Sequence, residues 1–199
     1  MAIFACWLFV GSADAIQDKV EMPGVLVDES PKPEEWHCAK CSIVVLSNGD
    51  YLISNVYVGN DRPEETAIHV SKDKGKSWKK LSTVKNMFGG SFVTKGGEVY
   101  LIGIQGNFGR ASVVVSSDNG ATWSDVSDSL ISESRFFSVS AAVLVHNDRI
   151  WRSYTSLGPG RKTWFVHLLW APYESDWLDA DSWKALLSLI HISEPTRPY

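Results

Sequence analysis

Ser71-Lys72-Asp73-Lys74-Gly75-Lys76-Ser77-Trp78 and Ser116-Ser117-Asp118-Asn119-Gly120-Ala121-Thr122-Trp123 are two copies of one pattern, S-x-D-x-G-x-[ST]-W. Each follows an apolar run, Ala67-Ile68-His69-Val70 in the first case and Val113-Val114-Val115 in the second. The pattern has the chemistry of a tight turn between strands. A short Asp carboxylate folds back to accept hydrogen bonds from backbone N–H groups a few residues on. Gly supplies a positive φ without a Cβ clash. The Ser or Thr hydroxyl closes a second local bond, and Trp opens the return strand as a large apolar plug. Asp73 and Asp118 are 45 residues apart, the length of one repeating unit of four short strands. The role this pattern gives Ser71, Asp73, Gly75, Trp78, Ser116, Asp118, Gly120 and Trp123 is structural: they staple turns and carry no catalysis.

Outside the repeats, 199 residues with 44% hydrophobic content suffice for a sizeable core. A net charge of −4 argues against nucleic acid or an anionic membrane surface as partner. Nine Trp and eight Phe suit all-β packing, and also the stacking of rings on sugars. Ala2 to Val10 is an apolar run too short to span a bilayer. With Ala13-Asp14-Ala15 after it, residues 1–15 read as a signal peptide without its basic n-region, which implies a secreted or periplasmic protein. Residues 16–41 are polar and Pro-punctuated, a lead-in segment. Cys38 and Cys41 lie within it; no second C-x-x-C exists to complete a zinc site, so no metal and no cofactor is expected. The pair reads either as a local disulfide or as two free thiols.

From Ser42 the chain becomes a succession of short strands. Gly49, Gly96 and Asn147 mark the first hairpin turn of three successive units, in steps of 47 and 51 residues. The second unit runs through Val99 to Ile104, and the third through Ala141 to Val145, Ile150 to Tyr154 and Trp164 to Trp170. Residues 42–185 therefore predict an all-β chain of three four-stranded antiparallel blades.

The S-x-D-x-G-x-[ST]-W turns resemble the Asp-box, or bacterial neuraminidase repeat, of sialidase-like β-propellers. Ala171-Pro172 followed by Asp176-Trp177-Leu178-Asp179 and Trp183 is similar to a segment of a secreted bacterial exo-α-sialidase-like subfamily, as are Leu46 to Leu52 and Val145 to Arg152. The resemblance covers roughly Cys41 to Trp183 and implies a six-bladed ring, of which three blades are present. It further implies a glycan substrate, a Tyr nucleophile with an acidic partner, and arginines that hold a sugar carboxylate in bidentate pairs. Of that set only Arg152 matches by position, as a binding residue for an anionic sugar; its alternative is an ordinary surface Arg. The chain departs from the family where an Arg is usual on the first inner strand, since Lys40-Cys41-Ser42-Ile43-Val44 holds none. Neither catalytic carboxylate nor nucleophile can be named, and Tyr154 is a remote candidate.

Residues 186–199, ending Glu194-Pro195-Thr196-Arg197-Pro198-Tyr199, resemble translated sequencing-adapter read-through. The expectation is thus an N-terminal fragment of a sialidase-like glycoside hydrolase, inactive by itself. The alternatives are a non-catalytic glycan-binding propeller and a protein-interaction propeller.

Overall fold

The computed structural model describes residues 24–137, 141–158 and 163–187. The signal-peptide expectation for residues 1–15 and most of the read-through tail lie outside them. Twelve strands follow in chain order: β1 (Trp36–Val45), β2 (Tyr51–Gly59), β3 (Glu65–Ser71), β4 (Lys79–Lys85), β5 (Met87–Lys95), β6 (Glu98–Gln105), β7 (Phe108–Ser116), β8 (Leu130–Phe137), β9 (Leu144–His146), β10 (Arg149–Leu157), β11 (Trp164–Pro172) and β12 (Lys184–Leu187). All pairings are antiparallel and follow chain order within each unit of four, so the three predicted blades are present. The chain is an arc of a β-propeller.

Blade faces follow from alternation along the strands. Leu52, Ser54 and Val56 of β2 turn toward blade 2, while Tyr51, Ile53, Asn55 and Tyr57 turn away. Strand β6 is buried on both faces and reads as an unbroken apolar run, Val99-Tyr100-Leu101-Ile102. Its residues divide between two inter-blade cores. Val99 and Leu101 join Leu52, Ile68, Val70, Phe92 and Val114 between blades 1 and 2. Tyr100, Ile102 and Ile104 join Phe136, Ile150, Tyr154, Leu169 and Trp177 between blades 2 and 3. Each fully buried Leu, Ile or Phe there is worth about 1.5–3 kcal/mol, against roughly 1 for a single hydrogen bond in a turn. The seams hold the arc together; the turns set the register of each blade.

The two S-x-D-x-G-x-[ST]-W turns are near-identical copies. In the first, Ser71 Oγ donates to Asp73 Oδ1 (2.7 Å) and accepts from Gly75 N–H (2.7 Å); Asp73 accepts from Ser77 N–H (2.9 Å) and Ser77 Oγ (2.6 Å). The second repeats these bonds among Ser116, Asp118, Gly120 and Thr122 at 2.8, 2.7, 2.8 and 2.6 Å. Trp78 and Trp123 each donate an indole N–H to the turn glycine's carbonyl, at 3.2 and 3.1 Å. Gly75 and Gly120 sit at φ of +87° and +88°, where a Cβ would be strained. Blade 3 staples the same place differently. Asp176 accepts from Leu178 N–H (2.9 Å), Asp179 from Asp181 N–H (3.0 Å), and the buried Trp177 and Trp183 tie the loop by their indole N–H groups.

Three boundaries differ from the sequence reading. Strand β1 begins at Trp36, inside the lead-in segment, because Trp36 to Ala39 pair with Val56 to Gly59 of β2. A bulge at Lys40-Cys41, with Lys40 at φ +57°, interrupts the alternation that would have revealed it. Strand β12 extends to Leu187 by pairing with β11, so the fourth strand of blade 3 runs past residue 185. Finally, Phe137 of β8 pairs with Thr155 of β10 above the short β9, which joins blades 2 and 3 into one continuous sheet.

The turn bonds hold Asp73 and Asp118 well below the usual carboxylate range, to about 2, chiefly through the hydroxyls of Ser77 and Thr122. Because the folded-state values are depressed, this stabilisation is complete above about pH 4 and is lost as pH falls through about 2. Asp118→Asn should flatten that acid limb in a pH series of thermal melts. Ser116→Ala leaves the buried Gly120 N–H without its acceptor and should lower stability by about 1–3 kcal/mol, read by urea unfolding; an unchanged midpoint would contradict the staple role.

Candidate functional site

The turns that bear Asp73 and Asp118 lie at the same blade ends as the β1–β2 and β5–β6 hairpins, beside Tyr51 and Val99. The start of β5 is about 20 Å away along the strand, given a rise near 3.3 Å per residue. A polar and aromatic cluster gathers there, remote from the turns.

Its centre is a second bulge. Between Phe88 and Ser91, Gly89-Gly90 interrupts the β5–β6 register. A Cβ on Gly90 would stand 2.4 Å from Leu101 Cγ, so only glycine allows this approach of the two strands. The interruption frees backbone carbonyls that need partners, and both neighbouring blades supply them. Ser54 Oγ of blade 1 reaches Gly90 O at 3.4 Å, and Arg152 Nη2 of blade 3 donates to Gly89 O at 2.9 Å. Thr66 Oγ1 similarly bonds Met87 O at 2.8 Å.

Arg152 is therefore no surface residue: it is 2% exposed, facing inward with Ile150 and Tyr154. Its guanidinium lies 5.4 Å from the Tyr154 ring, and Nε and Nη1 have no hydrogen-bond partner among the described residues. Burial pushes its pKa down, with Tyr154 acting in the opposite direction. Arg149 points the other way, stacked on Trp170 at 4.3 Å. Tyr154, the remote nucleophile candidate, is buried beside Arg152. It is 1% exposed, burial raises it to about 12, and its hydroxyl meets Gly103 O at 3.4 Å.

Beside the bulge, Lys40 Nζ and Arg62 Cζ approach the ring of buried Phe88 at 4.6 and 4.0 Å. Burial, helped by Arg62, lowers Lys40 to about 8. Sequence reasoning passed over both residues; the missing first-strand Arg pointed at Lys40's position, but the chain gave no sign that Arg62 folds back onto β5. A cavity of about 360 Å³ lies at the opposite, hairpin end; Thr94, Lys95, Val99 and Tyr173 help line it, and no carboxylate does.

A second polar cluster sits on the outward face of blade 1. Asp28 of the lead-in segment accepts from Asn55 Nδ2 and Tyr57 OH, both at 2.8 Å, and stands 3.5 Å from His69 Nε2. Burial and the Asp28 bond raise Tyr57, while burial outweighs Asp28 and lowers His69. Cys38 and Cys41 are both free thiols, exposed, with burial and then Asp28 as the causes that raise them. The described residues hold no group of three or more His, Cys, Asp or Glu that could bind a metal ion, and no helix among them is long and apolar enough to cross a membrane.

No known family profile matches the chain, and no curated protein does. Solved structures match in fold. An α-L-arabinanase of Penicillium chrysogenum, complexed with arabinobiose, aligns over 72% of this chain and 47% of its own, with TM-score 0.52 and 17% identity. An α-L-arabinofuranosidase of Lactobacillus brevis aligns over 80% and 58%, with TM-score 0.58 and 13% identity. A Hadza microbial sialidase aligns over 73% and 29%, with TM-score 0.51 and 17% identity. The chain spans between about a third and three fifths of the length of these structures. At such identities the likeness shows the fold alone: a glycoside-hydrolase-type β-propeller.

Asp28→Ala removes the acceptor that Asn55 and Tyr57 share and should cost about 1–3 kcal/mol. It should also open residues 24–35 to limited proteolysis while β5–β8 stay protected; unchanged cleavage would show that Asp28 does not fasten this segment.

Proposed function

We propose that this chain is part of a sialidase-like, exo-acting glycoside hydrolase, exported from the cell, that works on terminal acidic sugars of glycans. The observation that carries the reading is Arg152: a buried guanidinium whose Nε and Nη1 have no hydrogen-bond partner, and which no carboxylate bonds, among the described residues. A buried, unpaired cation is costly; Nε–H and Nη1–H lie on different edges of the guanidinium, and each is a charge-assisted donor that a sugar carboxylate could accept from. The glycosidase-type fold and the paired Asp turns support the same class.

The described residues offer binding groups and no complete catalytic set. Glycoside hydrolysis needs an acid/base carboxyl and a nucleophile, or a second carboxyl, on either side of the bond. No carboxylate bonds Tyr154, and Lys40, Arg62 and Arg152 are cations. In this reading the chain supplies part of the substrate-binding wall, and cleavage needs groups outside it. A binding-only propeller is the second reading, favoured by Lys40-Cys41-Ser42 where sialidases carry an Arg.

The test has two stages. Thermal-shift titration of this chain with N-acetylneuraminic acid should raise Tm, lactose should not, and Arg152→Met should abolish the shift. No response to the acid would remove Arg152 from the site. The complete gene is then assayed for release of terminal sugars. Release of sialic acid supports the hydrolase; glycan binding without release favours the binding propeller; a protein that neither binds nor cleaves glycans defeats both readings.

A further inference from the structure

The seam between blades 2 and 3 holds a pair of reactive side chains further along β10 than Arg152. Ser156 Oγ and His167 Nε2 lie 2.6 Å apart. The sheet register makes the pair: Tyr154 stands opposite His167 and Ser156 opposite Phe165, so Ser156 and His167 are diagonal neighbours. Alternation gives Ser156 the face of Ile150 and Tyr154, which is turned toward blade 2. Diagonal partners on one face sit about 7–8 Å apart along the backbone, a gap that an imidazole spans. Phe136 comes from β8 across the seam and meets the His167 ring edge-on at 5.2 Å and the Tyr154 ring at 4.9 Å. Phe136 is itself 1% exposed, so the packing of the seam sets where the imidazole stands. Burial pushes the His167 pKa down, which keeps the ring neutral near pH 7. In the tautomer with its proton on Nδ1, Nε2 accepts from the Ser156 hydroxyl. Both residues are half-buried, neither sealed nor freely solvated.

We propose that Ser156 is a nucleophile with His167 as its general base, and that the pair accepts acyl groups from small carboxylic esters. A hydroxyl is a weak nucleophile until a base within hydrogen-bond reach takes its proton, and 2.6 Å is within that reach. In the first step Ser156 Oγ bonds to the ester carbonyl carbon while its proton passes to His167 Nε2. The bond from that carbon to the alcohol oxygen then breaks, and the departing alkoxide takes the proton from Nε2. Water, deprotonated by the same nitrogen, next adds to the acyl carbon, and Ser156 leaves with the proton. The cycle consumes ester and water alone. Half-burial against Phe136 favours a short acyl chain over a bulky one. The chemistry uses neither Arg152 nor the Asp turns, and it is independent of any glycosidase activity.

The full chain is mixed with 4-nitrophenyl acetate at neutral pH, nitrophenol release is followed, and the acetylated residue is located by peptide mass spectrometry. A burst no larger than the protein concentration is expected, with the acetyl group on Ser156. Ser156→Ala should abolish the burst. His167→Gln should slow it by about 10²–10⁴-fold, the usual contribution of a general base. A fluorophosphonate probe, which traps activated serines, should label Ser156 in the parent chain and not in His167→Gln. If either variant loses the circular dichroism of the parent, the fluorophosphonate adduct on the parent chain decides alone. Acetyl groups found only on lysines, a burst that survives Ser156→Ala, a burst indifferent to His167→Gln, or a Ser156 that the fluorophosphonate leaves unlabelled would each overturn the proposal.

Discussion

Strand β5 cannot complete its own ladder, and the arc is assembled around that failure. Gly89-Gly90 swells the inner strand of the middle blade, where Gly90 lies against Leu101 and Gly103 too closely for any side chain. Freed carbonyls in a buried strand must be bonded. Ser54 answers from one side and Arg152 from the other, at equivalent places on the second strands of blades 1 and 3. Ser42 accepts from Phe92 N–H at 3.0 Å, and Ser91 donates to Ala141 O at 2.7 Å, so the same strand ties blades 1 and 3 lower down. Blade 2 is thereby held by polar clamps within two apolar seams, and its strands β5, β6 and β7 are largely buried on both faces.

This arrangement separates the Asp turns from the cationic cluster. The Asp turns are local, each closed within eight residues, and they fix where a strand returns. The cationic groups are gathered by long-range packing: Lys40 by the β1 bulge, Arg62 by the β2–β3 connection, Arg152 by its place in the seam. The turns set where each strand returns; the packing collects Lys40, Arg62 and Arg152 around the start of β5.

What the chain declared in advance was whatever repeats or closes locally. The blade count and the hairpins at Gly49, Gly96 and Asn147 follow from turn chemistry at a regular spacing, and β6 from its unbroken apolar run between turn signals. Arg152 was legible too, in retrospect: it shares the parity of Ile150 and Tyr154, both buried, and parity outweighs the usual exposure of arginine. Asp28 was not legible. Its partners are 27 and 29 residues away in sequence, and nothing local marks an Asp in a Pro-punctuated stretch as a fastener. The start of β1 was hidden by polar residues and by the Lys40-Cys41 bulge, which shifts the alternation by one. The merging of blades 2 and 3 through Phe137 depends on how short β9 is, a property of packing rather than of turn residues.

Native-state hydrogen exchange tests the central role of the clamped middle blade most directly, since it ranks the opening free energy of every strand in one experiment. The slowest amides should be those of β6 and β7, exchanging only with global unfolding, with β5 close behind and the outer strands β4 and β12 first to open. Arg152→Met should speed exchange around Gly89 to Phe92 more than in β3. If blade 1 or blade 3 proved slowest, or if β5 were indifferent to the loss of Arg152, the arc would not be organised on its middle blade.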